Sequence, residues 1–175
     1  MRRYIYFVFL LCCAVNLLLT SCVRQKYVVM DMVHHNPGEA MTESKFLDPS
    51  FLKKNEYGAK VFFLFEAAQF GIDWKSFDPS LFPDTTEAGR WVAEKAEIIH
   101  KKYDAAKKED LQVYCMLDML VLPSLLVEKH RTELTNEQGK LDISKPYTQL
   151  CIRELMKEMF ETFPQLDGLV IRTGE

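Results

Sequence analysis

Glycine is scarce in this chain, seven residues in 175, and it never gathers into the G-x-G-x-x-G turn that seats a dinucleotide at the start of a doubly wound sheet. No P-loop, HxH or HExxH occurs, and neither Ser124 nor Ser144 sits in a nucleophile elbow. The five cysteines contain no CxxC pair and no zinc-finger spacing. Positive charge is not in excess: 22 Lys and Arg stand against 25 Asp and Glu, for a net charge of −3. Lysines alternate with acids, as in Glu94-Lys95 and Lys107-Lys108-Glu109-Asp110, which is the pattern of solvated helix faces. Binding a phosphate backbone wants a clustered basic face, so nucleic acid is not expected as a partner. Nor is any cofactor or metal. Adjacent histidines on a strand point to opposite faces, so His34 and His35 could supply at most one ligand.

What is present begins with an address. Arg2 and Arg3 precede an almost wholly apolar run, Ile5 to Leu19, which closes on Leu19-Thr20-Ser21-Cys22. The run is short for crossing a hydrocarbon core of roughly 30 Å as a helix, and suits the core of a cleaved secretion signal. Leu-Thr-Ser-Cys resembles the lipobox of bacterial lipoproteins, which implies cleavage after residue 21 and lipidation of Cys22. The alternative is an uncleaved N-terminal anchor, and both readings tie the protein to a membrane. Arg24 and Lys26 follow Cys22 with no aspartate, so the resemblance implies an outer-membrane lipoprotein of the cell envelope facing the periplasm. The organisation expected is thus a signal peptide at 1–21, a lipidated cysteine with a short tether at 22–26, and one domain from 27 to 175. Cys115 and Cys151 lie in apolar surroundings and are expected as buried free thiols rather than a bridge.

From Tyr27 onward, apolar runs alternate with amphipathic helices. Strands are predicted over 26–33, 59–65, 111–117 and 168–172, and their unbroken hydrophobicity marks a parallel sheet covered on both faces. Asp48-Pro49 announces a short helix. A longer one follows Asp84-Thr85-Thr86, with Ala88, Val92, Ile99, Tyr103 and Ala106 along one stripe. A third opens at Ser144-Lys145-Pro146 and aligns Ile152, Leu155, Met159 and Phe163. Connections into strands are short, whereas those leaving strands run to about 14 to 27 residues, lengths that are usually functional. That asymmetry predicts an α/β chain forming the first four βα units of a (β/α)8 TIM barrel. A doubly wound sheet is the competing architecture.

Every predicted strand carries polar groups at its carboxyl end, where such folds place chemistry. These are His34, His35 and Asn36, then Glu66 and Gln69, then Asp118, then Arg172 and Glu175. Phe70, Trp74, Phe77 and Phe82 crowd the connection after the second strand. They read either as sugar-stacking faces, Trp74 foremost, or as a small core within the loop. Glu175 is the candidate general acid, since a carboxylic acid at an apolar mouth can have its pKa raised, and glycoside hydrolysis sets such an acid against a second carboxylate. Arg172 pulls the other way, because a neighbouring guanidinium favours the ionised form.

Asp31-Met-Val-His-His-Asn-Pro-Gly38 and Phe163-Pro-Gln-Leu-Asp-Gly-Leu-Val-Ile-Arg-Thr-Gly-Glu175 resemble the N-terminal half of TIM-barrel glycoside hydrolases of the broad α-glucuronidase-like and hexosaminidase-like superfamily. Such proteins are found among polysaccharide-degrading lipoproteins of Bacteroidetes. The resemblance implies carbohydrate as the partner, Glu175 as acid/base, and a second carboxylate from a later strand that these 175 residues do not include. The chain is therefore expected to be a fragment that hydrolyses nothing by itself. A carbohydrate-binding lipoprotein without catalysis, or the relic of a split gene, are the alternatives.

Overall fold

The computed structural model of the chain describes residues 29–31, 45–63 and 66–172. His34, His35, Asn36, Cys22 and Glu175 lie outside the described residues. Four parallel strands form one sheet in the order β1 (Met30–Asp31), β2 (Ala59–Phe62), β3 (Gln112–Asp118) and β4 (Gly168–Arg172). Among the described residues five α-helices accompany them: α1 (Pro49–Lys54), α2 (Glu87–Lys108), α3 (Ser124–Lys129), α4 (Arg131–Leu134) and α5 (Pro146–Thr162).

Helix boundaries follow capping chemistry. The Asp48 carboxylate accepts the Ser50 amide at 2.9 Å, with Pro49 in the first turn of α1. The Thr86 hydroxyl accepts the Gly89 amide at 3.0 Å to open α2. Both helices end in the same device. The Tyr57 amide donates to Leu52 O at 3.0 Å and the Glu56 amide to Lys53 O at 3.0 Å; after α2, Leu111 donates to Ala106 O at 3.1 Å and Asp110 to Lys107 O at 2.9 Å. These are Schellman caps, whose pivot residue is left-handed and usually glycine. Here the pivots are Glu56 (φ 64°) and Asp110 (φ 55°), and each turns its chain within a few residues into β2 or β3. The short entries into strands are thus achieved without glycine at the pivot. Lys53 adds a tie by donating to the Asp110 carboxylate at 2.9 Å.

The expected half barrel of four βα units is not what forms. Among the described residues β1 contributes two paired residues, so the substance of the sheet is three strands. The stretch after β3, read as a loop, folds into α3, α4 and a bridge between Thr135 and Leu141. Cover on both faces holds along β2, where all four residues are buried, and fails along β3. Along β3, Val113, Cys115 and Leu117 are buried, whereas Tyr114, Met116 and Asp118 are half-buried and Gln112 is exposed. The buried set packs with Phe62, Tyr103 and Ile99 of α2, and Leu155 and Met159 of α5 in one core. Apolar residues on both faces of a strand hid this difference, because Tyr114 and Met116 are as hydrophobic in sequence as the residues that reach the core. The product is an α/β fold with a small, unclosed parallel sheet.

Helix faces match their stripes. Val92, Ile99, Tyr103 and Ala106 are buried on α2, although Gly89 takes the place expected of Ala88, which is exposed. Ile152, Leu155, Met159 and Phe163 are all buried. Cys115 and Cys151 are free and buried; desolvation, before any other cause, pushes each thiol up to about 11.

Candidate functional site

Parallel pairing sets residues in register side by side, and Asp118 pairs with Arg172 at the carboxyl ends of β3 and β4. Their side chains form a two-pronged ion pair: Arg172 Nε donates to Asp118 Oδ1 at 2.6 Å and Nη2 to Oδ2 at 2.7 Å. The hydrogen bonds from the guanidinium, ahead of any other cause, hold the Asp118 carboxyl below its ordinary range. Asp118 is thus an ionised, committed acceptor rather than a proton donor. The Val121 amide donates to its carbonyl at 3.1 Å, so the chain turns immediately beyond the pair.

Glu66 is committed as well. Lys102 of α2 donates to its carboxylate, and its carbonyl accepts the Tyr103 hydroxyl at 2.9 Å. The Tyr103 hydroxyl is held strongly toward its neutral form, chiefly by burial. The two described strand-end carboxylates therefore each face a cation, and the pairing of two opposed carboxylates that glycoside hydrolysis uses is not made by them.

The loop aromatics divide. Trp74 is 1% exposed and packs edge-on to Phe77 at 6.0 Å, and Phe77 in turn lies 6.1 Å from Tyr147 of α5. The loop core is the arrangement found, and Trp74 does not present a free face. Phe70 and Phe82 remain half-buried at the edge of a cleft of about 530 Å³, which also takes Trp74 into its wall. The cleft lies on the carboxyl side of the sheet, between the segment after β2, the first turns of α2 and the turn from Val121 to Leu125. Concave, mostly apolar clefts of this volume are the usual form of small-molecule sites.

Gln69 lines the cleft, and its amide Oε1 is buried with no hydrogen-bond partner among the described residues. Trp91 lines it too and stays 44% exposed. Trp91 was not among the residues singled out from sequence, although a signal was there. It is an aromatic lying beside, and not on, the stripe of Val92, Ile99, Tyr103 and Ala106, on a helix face otherwise occupied by Arg90, Glu94 and Lys95. Lys95 places its ammonium 5.5 Å from the Trp91 ring centre, a cation–π contact. No described residue lining the cleft carries a charge. Among the described residues, no group of three or more His, Cys, Asp or Glu stands close enough to hold a metal ion.

The structure therefore gathers Gln69 and Trp74 at the cleft, puts the Asp118–Arg172 pair at the strand ends outside its lining, and ties Glu66, in the segment after β2, to Lys102 of α2. Comparison with protein-family models, with curated proteins and with solved structures finds no match to the chain.

Proposed function

We propose that the chain is a lipid-anchored, glycoside hydrolase-like protein of the cell envelope that handles carbohydrate at the carboxyl side of its sheet. The supporting observation is the cleft: concave, lined by aromatic and aliphatic side chains, and without a charged residue in its lining. Because Asp118 and Glu66 are each paired with a cation, neither is assigned the acid role of hydrolysis. The acid role that the resemblance gives to Glu175 would belong to hydrolysis only with a second carboxylate opposite it.

Affinity electrophoresis of the full-length protein through gels cast with soluble polysaccharides tests the reading, with released reducing ends measured in parallel. Retardation on at least one polysaccharide with no release of reducing ends is expected. Unaltered mobility on every polysaccharide would overturn it. The envelope location rests on Cys22, and radiolabelled palmitate fed to an expressing Gram-negative host should enter the protein and be lost on Cys22→Ala. Equal labelling of both forms would refute lipidation at that residue.

A further inference from the structure

The cleft divides into a rim and a floor. Trp91, Val121 and Leu125 are exposed at the rim, whereas Ile72, Trp74, Val92 and Leu155 are buried at the floor. Among the described residues that line it, Gln69 and Ser124 alone carry polar side chains, and the Gln69 amide oxygen is buried with no surface to offer a guest. A polar group taken down to the floor would shed its water without a replacement, while each methylene buried there adds to affinity. Charge stands outside this lining. The Lys95 ammonium lies 5.5 Å from the centre of the Trp91 ring, one helical turn further along α2. An apolar floor with an ammonium beside its aromatic rim is complementary to an apolar chain that ends in a single anionic group. The volume of about 530 Å³ suits a guest of that size.

We infer that the cleft binds a long-chain fatty acid, with its acyl chain on the floor and its carboxylate at the rim beside Lys95. Such a ligand lies outside the carbohydrate reading, and its binding does not depend on that reading.

Photolabelling of the full-length protein, reconstituted in phosphatidylcholine vesicles, with a diazirine derivative of palmitic acid tests this, the labelled peptides being located by mass spectrometry. Label on the peptides that hold Phe70, Trp91 and the turn from Val121 to Leu125 is expected. Excess palmitic acid should suppress it more strongly than excess hexadecanol, which has the chain without the charge. Lys95→Gln should narrow that preference by about two- to fivefold, the scale of an exposed ion pair. Val121→Glu, at an exposed position, sets a carboxylate at the mouth and should lower the label about tenfold or more without lowering the melting temperature. Label spread over the protein with no excess at the cleft, or no label at all, overturns the site. Equal suppression by the acid and the alcohol, or label that neither variant changes, overturns the fatty acid as its ligand. Retardation on polysaccharide gels is untouched by each of these outcomes, so the two readings fail separately.

Discussion

The chain contains two tryptophans, and their surroundings assign them opposite consequences on truncation. Trp74 is 1% exposed and Trp91 is 44% exposed. Burying an aromatic of this size removes about 150–250 Å² from water, which at about 25 cal/mol per Å² amounts to about 4–6 kcal/mol. Partial collapse of the vacated space brings the usual cost of Trp→Ala to about 3–5 kcal/mol. The edge contact with Phe77 at 6.0 Å is lost as well. Nothing is recovered from the backbone, since Trp74 has φ 58° and alanine is no more at ease there. Set against a total stability of about 5–15 kcal/mol for a domain, Trp74→Ala should remove a large share. For a chain of this size the melting temperature falls by about 2–4 °C per kcal/mol, hence by about 6–20 °C. Trp91→Ala, at the rim, should stay within about 1 kcal/mol of the parent. Urea denaturation followed by far-UV circular dichroism measures both. Equal losses from the two variants would refute the assignment of Trp74 to the core, and any fall in ligand binding by Trp74→Ala is expected to track unfolding.

Two further outcomes are expected. Asp78 is held at about 2 by Lys129, whose ammonium lies 2.6 Å away, and by Ser80. A carboxyl depressed in the folded state contributes stability that is full above its unfolded pKa near 4 and lost as pH falls through about 2. Thermal melts should therefore decline between about pH 4 and pH 2, with a shallower decline in Asp78→Asn; identical profiles would show that the clamp between the β2 loop and α3 contributes nothing. Gly89→Ala sets propensity against space. Alanine is favoured in a helix by about 1 kcal/mol, but its Cβ would stand 2.1 Å from the Pro83 carbonyl oxygen. Backbone cannot step aside as a side-chain tip can, so a net loss of about 1–3 kcal/mol is expected in chemical denaturation; a more stable variant would contradict the packing at the start of α2.

The order of strands and helices was legible because it rests on local signals: Asp48-Pro49, Thr86 and Pro146 each open the helix read from them. The architecture was not. Hydrophobicity reports that a residue avoids water and not which face of a sheet it occupies, so Tyr114 and Met116 were counted with Val113 and Cys115 although only the latter pair reaches the core. Inferring a half barrel from strand count and loop length failed for a related reason: the 119–145 connection is long because it holds two short helices. At the site, Asp118 and Arg172 could be placed at strand ends from sequence, but their pairing needed the register. Trp74 was left between a sugar-stacking face and a loop core, of which the core is the arrangement found, and Trp91 was passed over. An aromatic in a connection suggests a binding face and one in a helix suggests core, and only the packing of the β2 loop against α5 shows otherwise.

The most direct test of carbohydrate recognition at the carboxyl side of the sheet is a map of amide chemical shifts in the full-length protein as a neutral trisaccharide is added. Shifts concentrated at Gln69, Trp91 and the turn from Val121 to Leu125, saturating together, are the expected result. Shifts confined to the exposed outer faces of α2 and α5, or none at saturating sugar, would contradict it.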